Sequence, residues 1–122
     1  MAGQTPDVEA ILQGMAAQLG EEPRPMALTA RVVPQWIPRQ AQERAFIFDL
    51  PAIPAKYKHV LMIAVAAATG SHECTKAYST LATRAGVTKE EIGEALLTAR
   101  YALGSTVFAT AVEGLGQVGD RS

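Results

Sequence analysis

This sequence of 122 residues contains a single cysteine, Cys74. No disulfide can therefore form within one chain, and a zinc site built from several cysteines is excluded. Redox chemistry that cycles two thiols of the same chain is excluded as well. One potentially reactive thiol remains.

The sequence also lacks an excess of charge and a long apolar run. It has 11 Lys and Arg against 12 Asp and Glu, a net charge of −1, so nothing attracts the whole chain to nucleic acid or to an anionic membrane. The most apolar stretch, Val60 to Ala68, is far shorter than the roughly 20 residues that cross a bilayer. The polar segment Met1 to Asp7 has no signal-peptide pattern. We therefore expect a cytoplasmic protein without a nucleic-acid or membrane partner.

No segment alternates with period two, so no sheet is predicted. Helical spacing instead predicts an all-α protein of about six short helices. The first covers Val8 to Leu19 and stops at Gly20, and the second covers Gln40 to Asp49. The proline-rich stretch Glu21 to Pro38 is predicted to be a surface loop. Residues 1–38 would be an N-terminal helix and connection, and residues 39–122 the main helical part of one structural domain.

Helix signals are stronger after Pro54, the last proline. Ala55 to Ala68 is predicted to be a buried central helix that ends at Gly70. Ser71 is the predicted N-cap of the next helix, which Gly86 closes. The capping-box pattern Thr88 to Glu91 predicts another start. The buried positions predicted on this helix are Ile92, Leu96, Ala99 and Leu103. A final helix is predicted to start at Gly104 and Ser105, with Val107 or Phe108, Ala111, Val112 and Leu115 buried.

The candidate site centres on Cys74 and Tyr78, which lie four residues apart and share a helix face. With Ser71 as N-cap, Cys74 falls in the first turn, where the helix dipole favours a thiolate. His59 precedes Ser71 by twelve residues, or roughly 18 Å of helix. It would therefore reach the site only through another part of the fold or a neighbouring subunit. The plainer alternatives are a buried cysteine, a core tyrosine and a surface histidine.

The charged residues near this site could bind a substrate or a metal ion. Lys56, Lys76 and other basic residues could bind a carboxylate substrate, although such side chains are usually only solvated. A metal site from His59, His72 and Glu73 is disfavoured, because neighbouring side chains on a helix diverge. We expect no metal and no cofactor.

The stretch from Pro54 to Leu115 resembles the alkyl hydroperoxidase D / carboxymuconolactone decarboxylase family. The resemblance rests on residues at the family's spacing, followed by the Thr88 capping box: Ser71, Cys74, Tyr78, Ala82 and Gly86. It implies the all-α fold of that family and a homo-oligomer, a trimer or hexamer, with sites near subunit contacts. Side chains on the first helices are candidates for the contact surface: Ile11, Met15, Trp36 and Phe46.

The site departs from the family's peroxidases. Those have a glutamate, a Cys-x-x-Cys pair and a histidine. At the corresponding positions this chain has His59 in place of the glutamate, Ser71 in place of the first cysteine and Tyr78 in place of the histidine. The resemblance therefore implies an enzyme without the redox pair, doing acid–base chemistry on a small organic acid or lactone by decarboxylation, isomerisation or elimination. His59 would act as acid or base, Tyr78 as hydrogen-bond donor to an oxyanion, and Cys74 as a pocket residue or proton carrier.

Two other functions stay open. One is a one-cysteine peroxidase that forms a sulfenic acid at Cys74 and uses an external thiol. The other is a non-catalytic oligomer that keeps the scaffold for binding.

Overall fold

A computed structural model describes residues 4–119, with side chains from residue 7 onward. Over this range the chain is all helical, as predicted, with seven helices instead of about six. They are α1 (Gln4–Leu19), α2 (Arg24–Val32), α3 (Trp36–Asp49), α4 (Ala55–Ala68), α5 (His72–Arg84), α6 (Lys89–Thr110) and α7 (Val112–Gly119). The chain divides into two compact units, Met1–Lys58 and His59–Ser122, with the boundary inside α4. The division at residue 38 within a single domain stays a prediction.

The stretch predicted to be a loop, Glu21 to Pro38, contains α2 and the start of α3, so that prediction was wrong. Pro23 is the N-cap of α2, and Pro25 is its second residue. A proline in the first turn removes an N–H that has no partner within the helix, and its fixed φ suits a helix start. The prolines here begin helices rather than interrupt them.

In the N-terminal unit, α1, α2 and α3 pack against one another, and Ile37 is fully buried. The unit also buries a charged side chain, since Lys58 is only 8% exposed. Its Nζ donates hydrogen bonds to the carbonyl oxygens of Ile47 at 2.6 Å and Leu50 at 2.7 Å. Carbonyl groups at the C-terminal end of a helix lack partners within it. The Lys58 ammonium supplies the partners for this end of α3.

The core of the C-terminal unit is formed by Ile63, Ala82 and Val87, with Val60, Tyr78 and Ile92 packed against it. Helix α4 has the predicted bounds, but it is not buried all round. Leu61 and Val65 are 51% and 63% exposed. The apolar composition of a helix predicts that its surface is buried against something, but it does not identify the neighbour that buries it.

Helix α6 starts as predicted, with a complete capping box between Thr88 and Glu91. It then runs through Gly104, so the predicted break there was wrong. One glycine inside a helix costs only about 1 kcal/mol, which a helix of 22 residues can absorb. The predicted burial was also wrong for several side chains, which are exposed: Leu96, Leu103, Val107, Phe108, Val112 and Leu115.

Within residues 4–119, no single helix is long and apolar enough to cross a membrane. Helices α6 and α7 meet that length and composition only when counted together, and they are bent by 50° relative to each other.

Candidate functional site

The candidate site is built on the turn between α4 and α5. Gly70 has φ +80°, a conformation that glycine adopts without strain. Its N–H donates to the carbonyl of Ala67 at 3.2 Å, and the Ser71 N–H donates to that of Ala66 at 2.9 Å. These two bonds define a Schellman ending of α4. They fix Ser71 beside the last turn of that helix.

Ser71 also begins α5. Its Oγ accepts a hydrogen bond from the Cys74 N–H at 3.2 Å, which confirms the predicted N-cap. The Thr75 hydroxyl donates to the Ser71 carbonyl at 2.7 Å. One serine therefore ends one helix and begins the next, which places Cys74 in the first turn of α5.

A pocket of about 350 Å³ lies in the C-terminal unit at this turn. Its volume is at the lower end of the range for small-molecule sites. The side chains from α4 are apolar, and those from the turn and α5 carry a hydroxyl or thiol group. The lining consists of Leu61, Met62, Val65, Ala66, Thr69, Ser71, Cys74 and Tyr78.

Four side chains of the pocket lining carry a hydroxyl or a thiol group. The Thr69 hydroxyl donates to the Val65 carbonyl at 2.9 Å, and the Ser71 Oγ accepts from the backbone of α5. The Cys74 side chain is half-buried and in no disulfide. Tyr78 is half-buried and packs against the core. Thiol and phenol groups one helical turn apart therefore border the same space.

Three of the predicted site residues, Ser71, Cys74 and Tyr78, are thus brought together. His59 is not in the pocket lining; it precedes Leu61 by two residues, about 200° around α4. An acid–base role for His59 in this pocket stays a prediction.

The two lysines predicted to bind substrate are also absent from the lining. Lys76 is exposed on α5, about 200° around the helix from Cys74. Lys56 belongs to the N-terminal unit. Their binding roles stay predictions.

The apolar half of the pocket was not predicted from the sequence. Leu61, Val65 and Thr69 follow one another at four-residue steps and so lie along one face of α4 and its end. The same spacing suits a core stripe, so this signal alone does not separate a pocket wall from a core. Among the residues with described side chains, no group of three or more His, Cys, Asp or Glu could hold a metal ion.

Comparison with known proteins connects this geometry to a family. The model of the carboxymuconolactone decarboxylase family matches residues 35–115. A search of the curated proteins finds no match. The matched region contains α4, α5 and every residue that lines the pocket.

Proposed function

Since the chain belongs to the carboxymuconolactone decarboxylase family, we propose that it is an enzyme that performs proton-transfer chemistry on a small organic molecule. The observation that carries this proposal is the meeting of Ser71, Cys74 and Tyr78 at one pocket of about 350 Å³. The reaction class would be decarboxylation, isomerisation or elimination of an organic acid or a lactone.

The arrangement of Ser71 argues against thiol–disulfide cycling. It stands where the family's peroxidases have the first cysteine of the pair, and a hydroxyl cannot resolve a sulfenic acid into a disulfide. Its Oγ is already used to cap α5. We therefore assign Ser71 a positioning role, since it holds the turn that carries Cys74.

We assign the chemical roles to the thiol and the phenol that line the pocket. The Tyr78 hydroxyl would donate a hydrogen bond to negative charge that develops on a carbonyl oxygen, which is often the largest contribution to such catalysis. The Cys74 thiol would carry the proton that the substrate loses or gains. His59 would take part only where a second copy of the chain brought it to the pocket.

Deuterium incorporation tests this proposal. The protein would be incubated in D₂O with a panel of γ-lactones and keto acids, and NMR would detect the loss of substrate protons and any product. For a compound that reacts, we expect Cys74→Ala and Tyr78→Phe each to reduce the rate by about 10²-fold or more. Tyr57→Phe is the matched control, because Tyr57 is 51% exposed and lies outside the pocket. Full activity in both pocket variants would refute the assignment.

A one-cysteine peroxidase is the second candidate, because Cys74 borders a pocket instead of the core. A hydroperoxide would oxidise the thiol to a sulfenic acid and leave as the alcohol. Two external thiols would then restore the cysteine, releasing water and their own disulfide. Peroxide turnover with dithiothreitol that is lost in Cys74→Ala, without any deuterium exchange, would favour this function over the first. Absence of both activities would favour a binding protein.

We propose further that copies of the chain associate through α6 and α7, which would make a homo-oligomer such as a trimer or hexamer. Leu97, Tyr101, Gly104 and Phe108 follow a four-three-four spacing, the pattern of a helix–helix seam. Leu97 is 68%, Tyr101 79% and Phe108 71% exposed. The exposed apolar side chains that follow up to Val118 extend this surface. Contiguous exposed apolar surface of this kind marks an interaction site.

Light scattering after size-exclusion chromatography measures this association. We expect a multiple of the 12.9 kDa chain mass, and a shift toward the monomer when Phe108→Glu places a charge in the seam. Val32→Glu is the control, because Val32 is 84% exposed on α2. A monomeric wild-type protein would refute the proposal.

The side chains predicted from the sequence to form the contact surface differ in exposure. Trp36 and Phe46 are exposed, whereas Ile11 and Met15 are half-buried. The cytoplasmic location stays a prediction.

A further inference from the structure

The lining of the pocket between α4 and α5 contains no charged side chain. Among the residues with described side chains, its eight members are aliphatic residues, a methionine, two aliphatic hydroxyls, a thiol and a tyrosine. A carboxylate bound against such a surface gives up part of its hydration and gains no ionic partner, which is unfavourable. From this we infer that the pocket selects an uncharged molecule with an apolar body and one polar end, and that it discriminates against carboxylates.

The orientation of α5 explains why charged residues do not reach the pocket. His72 and Lys76 each stand two positions from Cys74, about 200° around the helix, and both are exposed. The pocket face of the helix instead carries Ser71, Cys74 and Tyr78. The basic residues of this segment are therefore on the wrong side to pair with a bound anion.

The N-terminus of α5 does not compensate for the missing cation. A helix N-terminus attracts anions through backbone N–H groups that lack partners. Here two of the four N–H groups that lack a partner within the helix, those of Ser71 and Cys74, are engaged in the turn. Glu73, in the first turn, adds a negative charge that opposes a second one. The cap on Cys74 and the carboxylate of Glu73 both make this helix end less favourable for a bound anion.

The two sides of the pocket suit the two parts of an uncharged ligand. Leu61 and Val65 remain about half or more exposed, and covering them with an alkyl chain would remove apolar surface from water. The thiol of Cys74 and the phenol of Tyr78 are groups of the kind that donate a hydrogen bond to a carbonyl or ester oxygen. This inference rests on the proposed function, since it concerns the same pocket, and it favours lactones over organic acids.

A matched pair of ligands tests the inference. Calorimetric titration would compare γ-octalactone with 4-hydroxyoctanoate, which has the same carbon skeleton with the ring opened to a carboxylate. We expect the lactone to bind at least about tenfold more tightly. In Leu61→Lys the preference should shift toward the carboxylate, because a lysine at this half-exposed position can extend its ammonium over the pocket. Val32→Lys adds the same charge outside the pocket and should leave the preference unchanged.

Two results would overturn the inference. One is binding of 4-hydroxyoctanoate as tight as that of the lactone, or tighter, in the wild-type protein. The other is no detectable binding of either compound at millimolar concentration. Neither result decides the proposed function, which stands or falls with deuterium exchange and its dependence on Cys74 and Tyr78.

Discussion

Replacing Lys58 by methionine should destabilise the protein, because its ammonium supplies the hydrogen-bond partners at the end of α3. The side chain is 8% exposed and bonds the carbonyls of Ile47 and Leu50 at 2.6 and 2.7 Å. Hydrogen bonds from a charged donor contribute about 1.5–3 kcal/mol each. Removing the buried charge also removes its desolvation cost, which offsets part of this loss. We therefore expect a net loss of about 2–3 kcal/mol in the free energy of unfolding.

Urea unfolding followed by circular dichroism would measure this loss, at one fixed protein concentration because association also contributes to stability. For a chain of this length, 2–3 kcal/mol corresponds to a fall of very roughly 10 °C in Tm. Lys89→Met is the matched control. Lys89 is exposed at the start of α6, where a cation opposes the helix dipole, so its removal should change stability by less than about 0.5 kcal/mol. If Lys58→Met were as stable as the control, the hydrogen bonds from the ammonium to the two carbonyls would contribute nothing to the stability of the fold.

Three further substitutions, two of them paired with a control variant, test the turns and the core. Ser71→Ala removes the N-cap of α5 and should lower the free energy of unfolding by about 1 kcal/mol. Ser71→Thr keeps a hydroxyl at the cap and should lose much less stability. Equal losses in the two variants would contradict the role of the hydroxyl as a cap. Gly86→Ala forces φ +94° on a side chain and should cost about 1–2 kcal/mol. By contrast, Gly93→Ala lies in α6 with nothing within 4 Å of the new Cβ and should stabilise the protein by up to about 1 kcal/mol. Ile63→Ala empties a fully buried position and should cost about 2–5 kcal/mol in urea unfolding; a smaller loss would show that the core collapses around the gap.

Local signals predicted the elements around the site well. Gly70 and Gly86 mark helix ends because they adopt positive φ, and Ser71 and Thr88 cap the helices that follow because their hydroxyls accept backbone hydrogen bonds. Such signals involve only a few neighbouring residues, so a single sequence contains all the information they need. The bounds of α4 and the start of α6 follow from them.

Other features depend on contacts between distant parts of the chain. Lys58 looks like a solvated lysine in the sequence, and only the approach of the α3 carbonyls explains its burial. The helical spacing of α6 shows that Leu97, Tyr101 and Phe108 form one face, but no local rule says whether the same chain covers it. Cys74 and Tyr78 were predicted to share a face, whereas the wall formed by Leu61 and Val65 required the packing of α4 beside α5.

The double use of Ser71 limits how this site can change during evolution or design. An attempt to rebuild a dithiol by Ser71→Cys would replace a good hydrogen-bond acceptor with sulfur, a weak one. The reduced form would then lose part of the cap that orders the first turn of α5, the turn that holds Cys74. A gain in redox chemistry would thus be coupled to a looser placement of the thiol that must perform it. Building a two-thiol cycle into this pocket would therefore call for a new cap for α5 as well as a second sulfur.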